Sequence, residues 1–555
     1  PPPPRRYDIV YGDVMLNFNY NINRFDIAAT VGWTGRYENM NNIRVSTNGG
    51  LVTENWFDLN ASRYTPSSTL QRMELLKTGY MGTLSLGWDN YLFLELTGRQ
   101  ERSSTLKDQS FFYPSANLSF LFTQAFHMPS WWNYGKLRLS YGIVGNAPET
   151  YTANIVYEQG SDNGFTWNTI PSSWGNADIR PEKKYEYEIG LESKFLNNRL
   201  GIDISYYNNR VKDQILSTPQ PSTSGVKNVL MNVGEVANRG WDISISATPI
   251  LTRDFRWDLT ANYGVYKNKV VKLADGVPYL EILNSGGSGI KIQAVEGQPM
   301  GDIYAQVPQV NENGEYLVSD KGLYLNQTEL QKVGNINPAG VGGLFNSFSY
   351  KNVFLDFSID FRIGGDVINE MNQYATAVGL TPESLKYRDT EHGGLSYYYP
   401  GDNNSSGIPV QVDPSTGAGP NGEIIYHDGI ILPGVVASTG ERNTRIIPAG
   451  YYYNTTYNWG TEAEQLTYRH SVFDNSYVKL RELTIGYQFP EKMISKLGLG
   501  RLSVSVFGRN LFYFYKALKN YDAESSVGTS WANQATVGSS TTATRSFGVS
   551  LRASF

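Results

Sequence analysis

The chain has 555 residues, enough for two to four ordinary soluble domains or one large barrel. Charged residues are only 18% of it, aromatics reach 13% and apolar residues 40%, a balance that excludes intrinsic disorder. A net charge of −5 argues against nucleic acid, the lack of cysteine excludes disulfides and thiol chemistry, and no apolar run marks a transmembrane helix.

The opening PPPPRRYDIV lacks the apolar core of a signal peptide, so a mature fragment or a chain whose beginning is absent is expected. Beyond it, side chains alternate with period two. The first rows are Val14/Leu16/Phe18/Tyr20 and Phe25/Ile27/Ala29/Val31/Trp33. Leu84 and Leu86 precede a turn at Asp89-Asn90, and Leu92, Leu94 and Leu96 follow it. Next come Ala116/Leu118/Phe120/Phe122, Leu137/Leu139/Tyr141, Tyr185/Tyr187/Ile189/Leu191 and Leu200/Ile202/Ile204/Tyr206. Trp241/Ile243/Ile245/Ala247 lead to Phe255/Trp257/Leu259/Ala261/Tyr263, then to Phe348/Tyr350 and Leu355/Phe357/Ile359/Phe361/Ile363. The last rows are Leu483/Ile485/Tyr487/Phe489, Leu502/Val504/Val506 and Phe547/Val549/Leu551/Ala553/Phe555. This alternation predicts about fifteen strands, with a β-bulge near Leu480 where the phase slips before Leu483.

A soluble sandwich would turn these rows inward; a membrane barrel would turn them toward lipid around a polar lumen. The connections are expected to alternate between short and long. Short ones are Asn21 to Arg24, Asp89-Asn90, Phe126 to Tyr134, Asn197-Asn198, Leu251 to Asp254, Lys351-Asn352 and Pro490 to Gly500. Long ones are expected near 38–78, 100–112, 145–182, 209–236, 266–341, 364–474 and 512–540. Short periplasmic turns and long outer loops give that rhythm, so the expected fold is an all-β transmembrane antiparallel barrel. Leu355, Phe357, Ile359, Phe361, Val549 and Leu551 would then face lipid. Tyr20, Trp33, Trp88, Tyr91, Trp257, Tyr263 and Tyr487 suit an interfacial girdle, and Phe555 resembles the terminal aromatic of an outer-membrane assembly signal. About fifteen strands starting downward imply at least one more before Pro1, because such barrels have even strand numbers.

Several ordered segments resemble the SusC/RagA family of TonB-dependent outer-membrane transporters. They are Leu137 to Gly142 with Val144-Gly145-Asn146, Arg180-Pro181-Glu182 with Tyr187 to Glu192, and Asn232 to Gly240. Val295 to Gly301, Phe361 to Asp366, Ser476 to Tyr487 and Gly508 to Phe512 continue the series. The resemblance implies that 1–555 is the C-terminal part of a 22-stranded barrel, filled by an N-terminal plug that has no counterpart here. It also implies drive from TonB–ExbB–ExbD through that missing region, and a SusD-like surface lipoprotein as lid.

Catalytic patterns are poor. His127, His392, His427 and His470 show no H-x-x-x-H spacing, and neither a nucleophile elbow nor a phosphate loop occurs. Glu186 and Glu188 share a strand face at a spacing open to glycosidase chemistry, but opposite Tyr185, Tyr187, Ile189 and Leu191 they read as lumen acids. Asn311 to Glu315 with Asp320 resembles a calcium loop, yet Gln309 would stand at its first ligand position, so an Asn-Gly turn is expected. No cofactor, metal or enzymatic activity is expected. Ligand or lid contacts are sought in the outer loops: Trp167, Trp174, Tyr397, Tyr398, Tyr399, Tyr451, Tyr452, Tyr453, Tyr457 and Trp459. Flat rings beside amides and hydroxyls suit a glycan, a peptide or the lid protein alike.

The expected function is active import of an oligosaccharide or peptide nutrient by an integral outer-membrane protein embedded in lipid. The alternatives are a passive porin and a secreted all-β glycan-binding protein.

Overall fold

The computed structural model of the protein describes residues 5–107, 109–162, 165–220, 222–285, 289–458, 467–526, 528, 530–538 and 543–554. Trp459 and Phe555 lie outside the described residues. Fifteen strands join one antiparallel sheet in chain order. They are β1 (Arg5–Ile22), β2 (Phe25–Leu51), β3 (Ser62–Trp88), β4 (Leu92–Ser103), β5 (Ser110–Phe120), β6 (Trp132–Asn146), β7 (Glu182–Phe195) and β8 (Leu200–Lys212). Then follow β9 (Glu235–Leu251), β10 (Phe255–Lys272), β11 (Gly340–Tyr350), β12 (Val353–Ile363), β13 (Tyr477–Gln488), β14 (Arg501–Lys516) and β15 (Ser546–Ser554). The chain divides into two compact units, Pro1–Ile245 with Lys267–Pro278 and Ser246–Tyr266 with Tyr279–Phe555.

In the first unit the register lines up the apolar rows. Leu16 lies opposite Val31, Leu84 opposite Leu96, Leu94 opposite Leu118, Leu139 opposite Ile189 and Leu191 opposite Ile204. Because side chains alternate along each strand, that alignment fixes an apolar face and a polar face for the whole run. At the short-turn end the rings of Phe25, Trp88, Tyr91, Phe120, Phe126 and, further along, Phe122, Trp132 and Phe195 touch in sequence at centroid spacings of 5.3–6.5 Å. This aromatic band contains Trp88 and Tyr91 of the expected girdle.

The second unit repeats the pattern: Phe348 meets Leu355, Phe357 meets Leu483, Ile485 meets Val506, and Val506 meets Val549. Ser358 pairs with Glu482 but Ile359 with Leu480, so Arg481 is the extra residue of the expected bulge.

Two expectations need correction. The span 38–78 is no loop: β2 and β3 pair almost throughout it, from Asn39↔Glu74 to Leu51↔Ser62, leaving residues 52–61 as the connection. Likewise 100–112 shrinks to 104–109, which is shorter than the 121–131 connection after it, so the short–long rhythm breaks at this one place. The reason is physical. Ladder hydrogen bonds belong to the backbone and continue where polar pairs such as Asn39 with Glu74 and Asn41 with Arg72 interrupt the apolar row, whereas the unbroken row marks only part of each strand. Phe122 and Phe489 also fall outside the strands; Phe122 opens the short helix Phe122–Ala125.

The long connections carry structure of their own. Residues 279–335 form a four-stranded sheet (Tyr279–Ser285, Ile290–Val295, Asp302–Ala305, Gln331–Asn335), and 364–476 holds the helices Glu370–Ala377 and Ala449–Tyr457.

Candidate functional site

The two faces of the sheet differ sharply. On the apolar side Ile189, Ile485 and Val506, on strands paired on both sides, are 48%, 54% and 57% exposed, while Leu355, Phe357, Ile359 and Phe361 are partly exposed. Rows of exposed aliphatic side chains on adjacent strands are unusual at a water-facing surface. On the other side polar residues brace one another. Thr30 donates to Asn17 at 2.7 Å, Ser347 to Asp356 at 2.6 Å, and Arg99 pairs with Glu101 at 2.7 Å. Arg138 of β6 crosses β7 at Gly190 to reach Asp203 of β8 at 2.6 Å. Any side chain at 190 would strike that guanidinium, its Cβ lying 2.8 Å from Nη2.

Near the short-turn end of the first unit this polar face opens into a recess of about 660 Å³, lined by Asn19, Asn21, Asp26, Glu95, Asn117 and neighbours. In the second unit the polar face carries a compact ionic group. The Arg481 Nε donates to Asp360 at 2.5 Å and its Nη1 to Asn510 at 2.9 Å, both on neighbouring strands. Its Nη1 and Nη2 also grip Glu524 at 2.9 and 2.6 Å, and the Lys479 ammonium reaches the same carboxylate at 2.5 Å. Glu524 comes from the 517–545 connection, which is fastened by Asn475 to Ala523 O (2.9 Å), Lys516 to Tyr521 O (2.6 Å) and Tyr513 to the Asp522 carboxylate (2.9 Å). Lys479 is left 1% exposed. Burial alone would raise the Glu524 carboxyl, but hydrogen bonds from Arg481 and Lys479 outweigh it and hold it near 2.

Above the sheet, the connections of the second unit are packed like a soluble protein. Ile290, Ile292, Ile303, Ile336, Ile368, Tyr468 and Val472 form one dry core, and Leu323, Ile430, Leu432 and Ile447 a second. The aromatic candidates fall into this packing. Tyr397 and Tyr399 are buried beside Ile446, and Tyr397 stacks on Tyr426 at 5.5 Å. Tyr453 is buried with its hydroxyl on the Glu383 carbonyl at 2.8 Å, while Tyr451 and Tyr452 lie against the Leu323 core. Tyr457 stacks on His470 at 4.3 Å; burial, then the nearby Arg469, pushes that imidazole down to about 4. Tyr398 is half-buried. In the first unit Trp174 meets Tyr157 edge-on at 5.8 Å, and Trp167 stands exposed on the hairpin Glu158–Asp162/Phe165–Thr169.

His392 contacts Asp389 at 2.8 Å and His427 contacts Ser396 at 2.8 Å, two separate pairs. Glu186 takes Lys184 at 2.6 Å and Asn209 at 3.1 Å on the polar side. Residues 311–314 make the expected Asn-Gly turn, with Gly314 at φ +80 donating to the Asn311 carbonyl at 3.0 Å, and Asp320 accepts from Ser438 at 2.5 Å. Sequence reasoning missed the Lys479–Arg481–Glu524 group. The Lys-x-Arg pair on a strand was visible, but nothing local announced a partner more than 40 residues away.

Known proteins give this architecture a context. Residues 3–293 match the family model described as TonB dependent receptor-like, beta-barrel. TonB-dependent receptor P3 of Formosa agariphila is 24% identical over 81% of this chain and 42% of its own length. The TonB-dependent receptor SusC of Bacteroides thetaiotaomicron is 30% identical over 41% of this chain and 24% of its own. Among solved structures, the RagAB peptide transporter superposes with a TM-score of 0.66 at 18% identity, covering 92% of this chain and 53% of that one. The chain thus spans about half the length, or less, of the relatives it matches.

Proposed function

The chain belongs to the TonB-dependent receptor-like β-barrel family of outer-membrane proteins, and from that premise we propose that it is the C-terminal barrel portion of an active nutrient importer. The cargo is of the oligosaccharide or peptide class. Force arrives from TonB–ExbB–ExbD, and a SusD-like lipoprotein covers the outer side. The long connections 147–181, 273–339 and 364–476 lie on that outer side, and the apolar rows meet lipid. Proteins of this family are receptors and transporters rather than enzymes.

One observation carries the reading: polar and apolar side chains are segregated to opposite faces across paired strands, with the apolar rows exposed and the polar ones cross-braced. A wall between hydrocarbon and a wet passage requires that segregation. Passage through such a wall against a gradient needs work from outside the barrel, since the outer membrane has no nucleotide supply. Growth on a limiting oligosaccharide or peptide tests this: uptake by the full-length protein is expected to vanish when TonB is deleted. Undiminished uptake without TonB would mean passive diffusion and overturn the proposal.

A further inference from the structure

The ionic group at Lys479 has the features of a ligand site occupied by part of the chain itself. Arg481 approaches the Glu524 carboxylate through both terminal nitrogens, at 2.9 and 2.6 Å, and Lys479 adds a third contact at 2.5 Å. This forked grip with a flanking ammonium is how proteins recognise a free carboxylate. The grip does not depend on Glu524 for its shape. Arg481 is oriented from the wall by Asp360 at 2.5 Å and Asn510 at 2.9 Å, and the Lys479 ammonium sits 4.8 Å from the centre of the Tyr513 ring. Lys479 and Arg481 stand two residues apart and so share the polar face by ordinary alternation, while the bulge at Arg481 brings Glu482 to the same side, opposite Ser358.

Charge makes the same point. Lys479 and Arg481 are balanced by Asp360 and Glu524; without Glu524 one positive charge remains beside a lysine only 1% exposed. A buried cation left alone is strongly unfavourable, so departure of Glu524 demands another anion or entering water. Departure needs little movement. The connection is held through the Tyr521 and Ala523 carbonyls and the Asp522 side chain, and the Glu524 side chain keeps 31% of its surface in solvent, so rotation of that side chain opens the grip.

We propose that Lys479 and Arg481 form a receptor site for the carboxylate of a transported ligand, and that Glu524 fills this site as an internal stand-in. The proposal rests on the reading above, in which this polar face lines the import path. A carboxylate of this kind occurs on uronic-acid sugars and at peptide C-termini, and the site selects the group rather than its carrier. Because the stand-in is tethered, its competition is intramolecular, which keeps free carboxylates weakly bound until the rest of a ligand adds affinity.

The test is titration calorimetry on the full-length protein in detergent at low salt. The probes are a galacturonate trisaccharide, a neutral trisaccharide, an acetylated tripeptide with a free C-terminus and its C-terminal amide. In Glu524→Gln at least one carboxylate probe is expected to bind about tenfold tighter than in the parent, and the neutral probes to be unchanged. Glu524→Asp keeps the charge and the fold while withdrawing the carboxylate by one methylene, and is expected to give a smaller gain in the same direction. Adding Arg481→Met to Glu524→Gln should abolish the gain. Which carboxylate probe responds distinguishes sugar from peptide. No gain in either Glu524 variant, or an equal gain for charged and neutral probes, overturns the proposal. Uptake measured in parallel separates the two readings. TonB-dependent uptake with no carboxylate effect sinks only the site, whereas uptake independent of TonB removes the import path on which the site depends.

Discussion

Val506 and Ile303 are both β-branched residues on strands, and they sit in opposite surroundings. Val506, on a strand of the sheet paired on both sides, is 57% exposed; Ile303, in the four-stranded sheet of a long connection, is 0% exposed. The same contrast runs through the second unit. Its sheet turns aliphatic rows outward and cross-braces its polar face, while its connections bury aliphatic residues in dry cores. On the proposed reading, disposition is set by the medium each surface meets: hydrocarbon would favour the exposed rows, and water drives the others inside.

The contrast can be broken by substitution. Ile303→Ala should cost about 2–5 kcal/mol through lost burial and an unfilled cavity. Hydrogen exchange over 290–305 reads that loss, and the account expects the same value in detergent and in vesicles. Ile359→Arg should cost roughly 2–4 kcal/mol in vesicles, with Ser358→Arg on the opposite face below about 1 kcal/mol, measured by reversible folding into lipid. Equal costs for the two would merge the faces.

A pH series sharpens the picture of the connections. Burial lowers the His470 imidazole to about 4 from its usual 6.5, so the folded form resists a proton that the opened form accepts. Above pH 6.5 both forms are neutral and the effect is nil. As pH falls from 6.5 toward 4 the 364–476 assembly should lose up to about 3 kcal/mol, with no further loss below that range. Urea midpoints at pH 7.5, 5.5 and 4.5 test the slope, and His470→Phe should flatten it. The smallest effect is expected at the brace: Arg138→Met, removing a partly exposed guanidinium, should cost about 1 kcal/mol or less in the same vesicle folding assay.

How much of this was legible in the sequence follows from the same physics. A row such as Leu355 to Ile363 reveals its strand because one face must meet an apolar medium, and the slip at Leu480 revealed the bulge. The outer stretches of β2 and β3 read as loop in the sequence, since backbone pairing leaves no mark where Asn39 and Asn41, opposite Glu74 and Arg72, interrupt the apolar row. Short connection strands such as Asp302–Ala305 owe their burial to residues far along the chain, Tyr468 and Val472 among them, and no local period encodes that. Tyrosines at 397, 399 and 453 were singled out as ring surfaces, and the structure has them packing the connections. The Glu524 contact was invisible for the same reason of distance.

The most direct test of the account concerns the faces of β12. With no cysteine among the 555 residues, single cysteines at each position from 353 to 363 can carry a nitroxide label in the full-length protein reconstituted in vesicles. Collision with dissolved oxygen reports hydrocarbon, and collision with a water-soluble nickel chelate reports water. Labels at 355, 357, 359 and 361 should favour oxygen and those at 356, 358 and 360 nickel, in strict alternation. A flat profile, or one with the phases exchanged, would contradict a wall standing between lipid and a wet passage.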